Sequence, residues 1–226
     1  MREQDTKIKS YTGARKDILE MISDAPKNVL DLGCSNGSLG AAIKQKFPGS
    51  IVIGVEYDLK FADEAKDRID SVFHGDLNKF DVNGIPGKFD LIIFADILEH
   101  LTNPENVLRD VVSKKAADGG SVIISVPNVQ HVTVFGNLIM GQWPERGRGI
   151  FDKTHLRWFT LSKLRKMIQS VDCEMVKTHR NYRFFDRTGM VVNKVAKIFC
   201  FPPVRNFFAY QYVVLARYQE SPGRSR

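Results

Sequence analysis

The chain has 226 residues, is 43% hydrophobic and carries a formal charge of +7 at pH 7. That length suits one compact domain with a sizeable core, no apolar run reaches the roughly 20 residues of a membrane span, and the polar opening "MREQDTKIKS" has no apolar stretch of the kind a secretory signal needs. Cys34, Cys173 and Cys200 are scattered and odd in number, which argues against a disulfide framework or a cysteine metal cluster and points to a reduced, cytoplasmic compartment.

Ile18, Leu19 and Ile22 at helical spacing predict a helix within 13–23, ended by Asp24 and Pro26. "NVLDL" (28–32) is a short apolar run suited to a central parallel strand. It enters a glycine-rich turn, and a helix follows over 36–46 with Leu39, Ala42, Ile43 and Phe47 on one face. "SIVIGVE" (50–56) is a second strand, 59–69 a helix, "SVFHGD" (71–76) a third strand, and "FDLIIFAD" (89–96) a fourth that is apolar enough for burial on both sides. "NPENVLRDVVSKKA" (103–116) is a helix capped by Asn103 with Pro104 in its first turn. "GGSVIISVPN" (119–128) is a fifth strand, 160–170 a helix capped by Thr160, and 173–180 and 211–218 are strands that close the sheet. This alternation predicts an α/β fold, Rossmann-like and doubly wound, with a mostly parallel seven-stranded sheet and helices on both faces. Residues 1–183 form the main domain in this reading, 184–218 add a C-terminal cap helix and the last strand of the same domain, and 219–226 are a disordered tail.

The turn raises the question of its ligand. A dinucleotide fingerprint needs G-x-G-x-x-G, but Gly33-Cys34-Ser35-Asn36-Gly37 puts Ser35 at the second glycine position, and the Gly-Lys-Ser/Thr ending of a P-loop is also missing. Asp31 ends a buried strand two residues before Gly33. A carboxylate there repels a pyrophosphate and welcomes an amine or cation. Glu56 ends the next strand, where a carboxylate accepts from two ribose hydroxyls. Asp76 follows the third strand, within reach of an adenine amino group. Each acid alone is equally a helix cap or a surface charge. Together, at successive strand ends, they describe a ligand with an amine, a ribose and a base but no phosphate, which fits S-adenosylmethionine.

On "VLDLGCSNG" (29–37), "GVEYD" (54–58), "GDLNKF" (75–80) and "FDLIIFADILEHLTNP" (89–104), the chain resembles the class I S-adenosylmethionine-dependent methyltransferases of the type 11/23-like group, over about residues 11–180. The resemblance implies that Asp31 and the turn Gly33, Cys34 and Gly37 hold the methionine part, that Glu56 takes the ribose, and that Asp76 and the Leu77 amide flank the adenine, with Tyr57 near its face. Asp96 is counted with these cofactor-binding residues.

"ADILEHLTNP" sets Asp96, Glu99 and His100 at i, i+3 and i+4, which one helical turn points to one side. His131 and His155 follow. Two readings stay open. In one, His155, or else His100 or His131, removes the acceptor's proton as the methyl transfers. In the other, Asp96, Glu99, His100 and His155 hold a divalent metal that acidifies a hydroxyl. The D-x-x-E-H…T-H order is similar to that of methyltransferases of ubiquinone biosynthesis and of small-RNA 3′-end 2′-O-methylation, which carry a metal at E-x-x-E-H. The first acid here is the shorter Asp. Glu99, His100 and His155 are therefore the candidate catalytic residues.

"PNVQH" and "GIFDKTHLRWFT" resemble a bacterial and archaeal subgroup tied to cell-envelope or small-molecule methylation. The loop 132–153 between them is read as a substrate lid, with Trp143 and Trp158 stacking on a sugar and Arg146 and Arg148 holding a phosphate. Ordinary packing of the two tryptophans is the alternative. Residues 141–226 hold 17 Lys and Arg against 6 Asp and Glu. This is a solvated basic face or one that attracts a phosphorylated substrate, a nucleic acid or an anionic membrane. Within 184–208, Val191, Val195, Ile198 and Phe199 share a helical face, with Lys194 and Lys197 on another, which suits a sheet cover, a dimer contact or a peripheral membrane contact. The sequence thus predicts methyl transfer from S-adenosylmethionine to a hydroxyl or amine of a sugar-like or other small acceptor, phosphate- or lipid-linked in some versions. The alternative is a metal-assisted RNA 2′-O-methyltransferase.

Overall fold

A computed structural model gives the arrangement of residues 14–183 and 204–219. A seven-stranded sheet carries the molecule. β1 (Asn28–Leu32), β2 (Ile51–Glu56), β3 (Ser71–His74), β4 (Phe89–Ala95) and β5 (Ala116–Pro127) are parallel, and β6 (Cys173–Tyr182) and β7 (Ala209–Tyr218) add antiparallel strands. The spatial order is β3-β2-β1-β4-β5-β7-β6. The order reverses between β1 and β4, so the crevice at their carboxyl ends is where a ligand fits in such a sheet.

Period-two alternation sends successive side chains to opposite faces. On one face Leu30, Leu32, Ile92, Phe94 and Val122 pack with α4 (Pro104–Lys115) and α6 (Leu161–Gln169). On the other, Val29, Leu91, Ile93 and Ile123 pack with α1 (Lys16–Leu19) and α2 (Ser38–Lys46), and with Ala65 of α3 (Leu59–Lys66). The central strands are apolar at nearly every position because both faces are covered. Side chains close the helix starts: Asp58 accepts from Lys60 and Phe61 N–H, Asn103 from Asn106 N–H, and Thr160 from Lys163 N–H. α5 (Val132–Ile139) follows β5, and the single turn α7 (Arg205–Phe208) leads into β7.

Two elements differ from the sequence reading. The first helix stops at Leu19, and Lys46 Nζ donates to the Leu19 and Ile22 carbonyls at and beyond its end. β5 begins three residues early, at Ala116, through a pairing with Phe89 beyond a register shift. Residues 184–203, most of the expected cap helix, lie outside the described residues, as does the tail from 220. None of the described helices is long and apolar enough to cross a membrane.

Candidate functional site

A cavity of about 1280 Å³ opens at the switch point, lined by Asp31, Glu56, Asp76, Asp96, Glu99 and His155 among others. The turn after β1 forms its floor. Gly33 has φ +76°, and a Cβ there would sit 2.9 Å from Ile97 Cδ1. A side chain would therefore strain the backbone and push Ile97 into the cavity. The Gly33 and Cys34 N–H groups both donate to Val55 O, at 2.8 and 3.1 Å. The Cys34 thiol packs onto Gly54, where an added Cβ would lie 2.4 Å from Sγ. Gly33 and Cys34 thus give the floor its shape, with their amide donors already used. Gly37 starts α2 at φ +76°.

The three strand-end acids reach one cavity in different states. Asp31 is buried, with Oδ1 lacking a partner. Burial first, then Glu56, push its pKa up to about 7, against the pull of Arg15. Glu56 is held from both sides, by Ser35 N–H at 2.8 Å on Oε2 and Asp58 N–H at 2.9 Å on Oε1. Each oxygen keeps a second lone pair for a ligand. Asp76 accepts from Asn78 N–H and Nδ2 through Oδ1. Leu77 is buried beside it, and Tyr57 is well exposed at the rim.

Arg15 is a site residue that the sequence reading missed. It lies in a polar stretch with no motif, and tertiary packing alone brings it to the cavity. Its guanidinium binds Asp17 through Nε and Nη2, Ser125 Oγ through Nη2, and Asp96 Oδ2 through Nη1 at 2.5 Å. Burial opposes its charge, but Asp96 and Asp17 outweigh that and raise its pKa. Asp96 also accepts from Ser125 Oγ and from Gln211 Nε2. The expectation that Asp96 joins Glu99 and His100 on one helical turn fails: Asp96 has φ +54°, and only Leu98–His100 form a short 3₁₀ turn. Asp96 anchors the cavity wall instead.

Glu99, His100 and His155 do converge, with ligating atoms within 4.8 Å of one another. The Glu99 carbonyl accepts from Leu156 and Arg157 N–H, at 2.8 and 3.0 Å, which clamps the later loop beside the 3₁₀ turn. The two imidazoles then meet edge to face at 4.8 Å. His155 Nδ1 donates to Ile150 O, leaving Nε2 as the basic nitrogen. Burial first, then His100, lower the His155 pKa against Asp152. Burial disfavours the Asp152 charge, yet hydrogen bonds from Thr154 and the electrostatic pull of His155 and His100 hold its pKa below the usual range. Glu99 is buried with Oε2 unpartnered, and its pKa is driven well up by burial and then by Asp96. One carboxylate and two imidazoles fit a divalent cation, which would relieve the buried Glu99 charge and accept its orphaned oxygen.

His131 is not a base. It is fully buried at the start of α5, donating from Nε2 to Arg183 O and accepting at Nδ1 from Thr133 Oγ1 and N–H. Trp143 packs edge to face on Phe151 and on Trp158, and Arg146 lies over the Phe151 ring. Aromatic packing claims both tryptophans, whereas Arg148 lines the cavity.

Comparison with known proteins fits this geometry. A family profile described as a methyltransferase domain matches residues 6–178. The mitochondrial ubiquinone biosynthesis O-methyltransferase of Candida albicans is 25% identical over 211 residues, 89% of this chain and 62% of that protein. The ubiquinone biosynthesis O-methyltransferase of Dechloromonas aromatica is 31% identical over 114 residues, 48% of each. The matches thus span about half to three-fifths of these curated relatives. Magnesium protoporphyrin IX methyltransferase from Synechocystis, solved with bound SAH, superposes with a TM-score of 0.60 at 17% identity, covering 96% of this chain and 84% of that one.

Proposed function

The chain belongs to the methyltransferase-domain family, as a class I S-adenosylmethionine-dependent member, and from that premise we propose that it methylates a hydroxyl or amine of a small, sugar-like acceptor. The observation that carries the reading is the gathering of Asp31, Glu56 and Asp76 around one cavity floored by the Gly33 turn. Asp31 suits the ammonium of the methionine part, and Arg15, the cation beside it, suits the carboxylate. Glu56, already oriented by two backbone amides, suits the paired ribose hydroxyls. Asp76 and Leu77 N–H suit the adenine edge.

S-adenosylmethionine supplies a methyl on a positively charged sulfur that leaves as a neutral thioether. The protein has to align the two reactants and remove one proton. His155 suits the proton removal, because burial keeps it neutral at pH 7 and the Ile150 carbonyl fixes its tautomer. As the acceptor oxygen or nitrogen attacks the methyl carbon, its proton passes to His155 Nε2. The O-methyltransferase names of the curated relatives favour a hydroxyl.

The convergence of Glu99, His100 and His155 supports a second reading. In it, Glu99, His100 and His155 would hold a divalent cation, which would lower the pKa of an acceptor hydroxyl, whether that hydroxyl belongs to a small molecule or to RNA. The test is transfer from radiolabelled S-adenosylmethionine into a cell extract, with and without chelator, followed by separation of the products. Label in small-molecule or glycan pools, insensitive to chelator, is expected. Label that chelation abolishes, in the small-molecule pool or in RNA, would establish the second reading, and label confined to protein would contradict both.

A further inference from the structure

α5 carries an apolar face that nothing in the described residues covers. Val134 points inward and packs with Ile150, Phe151 and Tyr210. Phe135, Leu138 and Ile139, at i, i+3 and i+4, point outward with 55–70% of their surface exposed, and Met140 continues the face. A contiguous patch of large apolar side chains on a protein surface marks an interaction site. Its place is informative: Tyr210, beneath α5, lines the cavity, and so do Arg148 and Arg183 beside it. His131, the cap of α5, bonds the Arg183 carbonyl directly.

We propose that the outward face of α5 rests on an anionic phospholipid bilayer and that the cavity receives its acceptor from that surface. Residues 132–144 contain no charged side chain. A water-exposed protein–protein patch draws on polar rim contacts, whereas a lipid surface requires only apolar area flanked by cations. Those cations are present. Arg146 and Lys153 follow the patch and Arg183 flanks its start, against the acids Glu145 and Asp152, of which Asp152 is buried. Basic side chains next to an anionic surface add attraction that an uncharged surface does not offer. The inference deepens the proposed methyl transfer, on which its consequence for the acceptor rests: the acceptor is one that resides in or at the membrane.

The test is flotation of the full chain with phosphatidylcholine vesicles, with and without phosphatidylglycerol. Ile139→Gln/Met140→Gln removes apolar surface at two exposed positions outside the cavity. The wild type should float with phosphatidylglycerol vesicles and bind at least about tenfold more weakly without that lipid. The double variant should lose at least about tenfold in vesicle affinity while binding S-adenosylhomocysteine as the wild type does. S-adenosylhomocysteine binding thus reports on the methyltransferase site separately from the patch. No flotation of the wild type, equal flotation of the variant, or a concentration-dependent dimer that the variant abolishes would overturn the proposal.

Discussion

At Asp31, folding and binding make opposite demands. A buried carboxyl with one unpartnered oxygen is disfavoured as an anion, which is why its pKa rises to about 7. The unfolded chain would release that proton near pH 4. Between those values the folded state holds a proton that the unfolded state has lost, so stability falls as the pH rises through this window and stays lost above it. Asp31→Asn should therefore raise the ligand-free melting temperature at pH 8. It should also weaken S-adenosylhomocysteine binding at least tenfold, about 1.4 kcal/mol. A lower melting temperature with unchanged binding would contradict both halves. In the wild type, affinity for that ligand should fall as the pH drops from 8 to 6, because the protonated acid no longer attracts the ammonium. A flat profile would remove Asp31 from the binding site. The same scale separates the histidines. In sequence, His155 is the preferred base and His131 a lesser candidate. In the fold, hydrogen-bond partners take both nitrogens of His131, while His155 lines the cavity and bonds the Ile150 carbonyl through Nδ1. His155→Ala should lower kcat about 10²-fold or more with ligand affinity intact, and unchanged turnover would make His155 a packing residue.

At the scale of elements, one short helix start fastens four strands. Arg15, just before α1, reaches Asp96 after β4 and Ser125 on β5, and Asp96 in turn holds Gln211 on β7. Asp17 extends the set to Asn181 on β6. Arg15→Leu leaves Asp96 without its cation. Because both side chains keep 20–30% of their exposure, solvent moderates the cost, and a loss of about 1–3 kcal/mol is expected in urea unfolding. In a double-mutant cycle with Asp96→Asn the losses should fall short of additivity by about 0.5 kcal/mol or more. Strict additivity would show that the pair is not coupled. The bonds across these strands explain why Asp96 is not part of the cluster of Glu99, His100 and His155: Arg15, Ser125 and Gln211 bind it, and its positive φ sets it before the 3₁₀ turn.

For the whole molecule, what a sequence reveals depends on how local its cause is. The parallel strands were legible because burial on both faces leaves nearly continuous apolar runs. The acids Asp31, Glu56 and Asp76 were legible because a parallel sheet brings successive carboxyl ends to one edge, so position along the chain already implies proximity. Arg15 was not, since its partner lies 81 residues away and no periodicity marks it. Trp143 and Trp158 were ambiguous for the same reason, being claimed by Phe151 and by each other. The charge is uneven as well: the basic excess lies in residues 141–226, beyond the acid-lined cavity floor.

The central claim is that the three strand-end acids and the Gly33 turn form the S-adenosylmethionine site. Titration calorimetry with S-adenosylhomocysteine on the wild type and on Glu56→Ala tests it most directly. Stoichiometric binding by the wild type, weakened at least tenfold in the variant, about 1.4 kcal/mol, is the predicted result. No binding by the wild type, or equal affinity in the variant, would contradict the account.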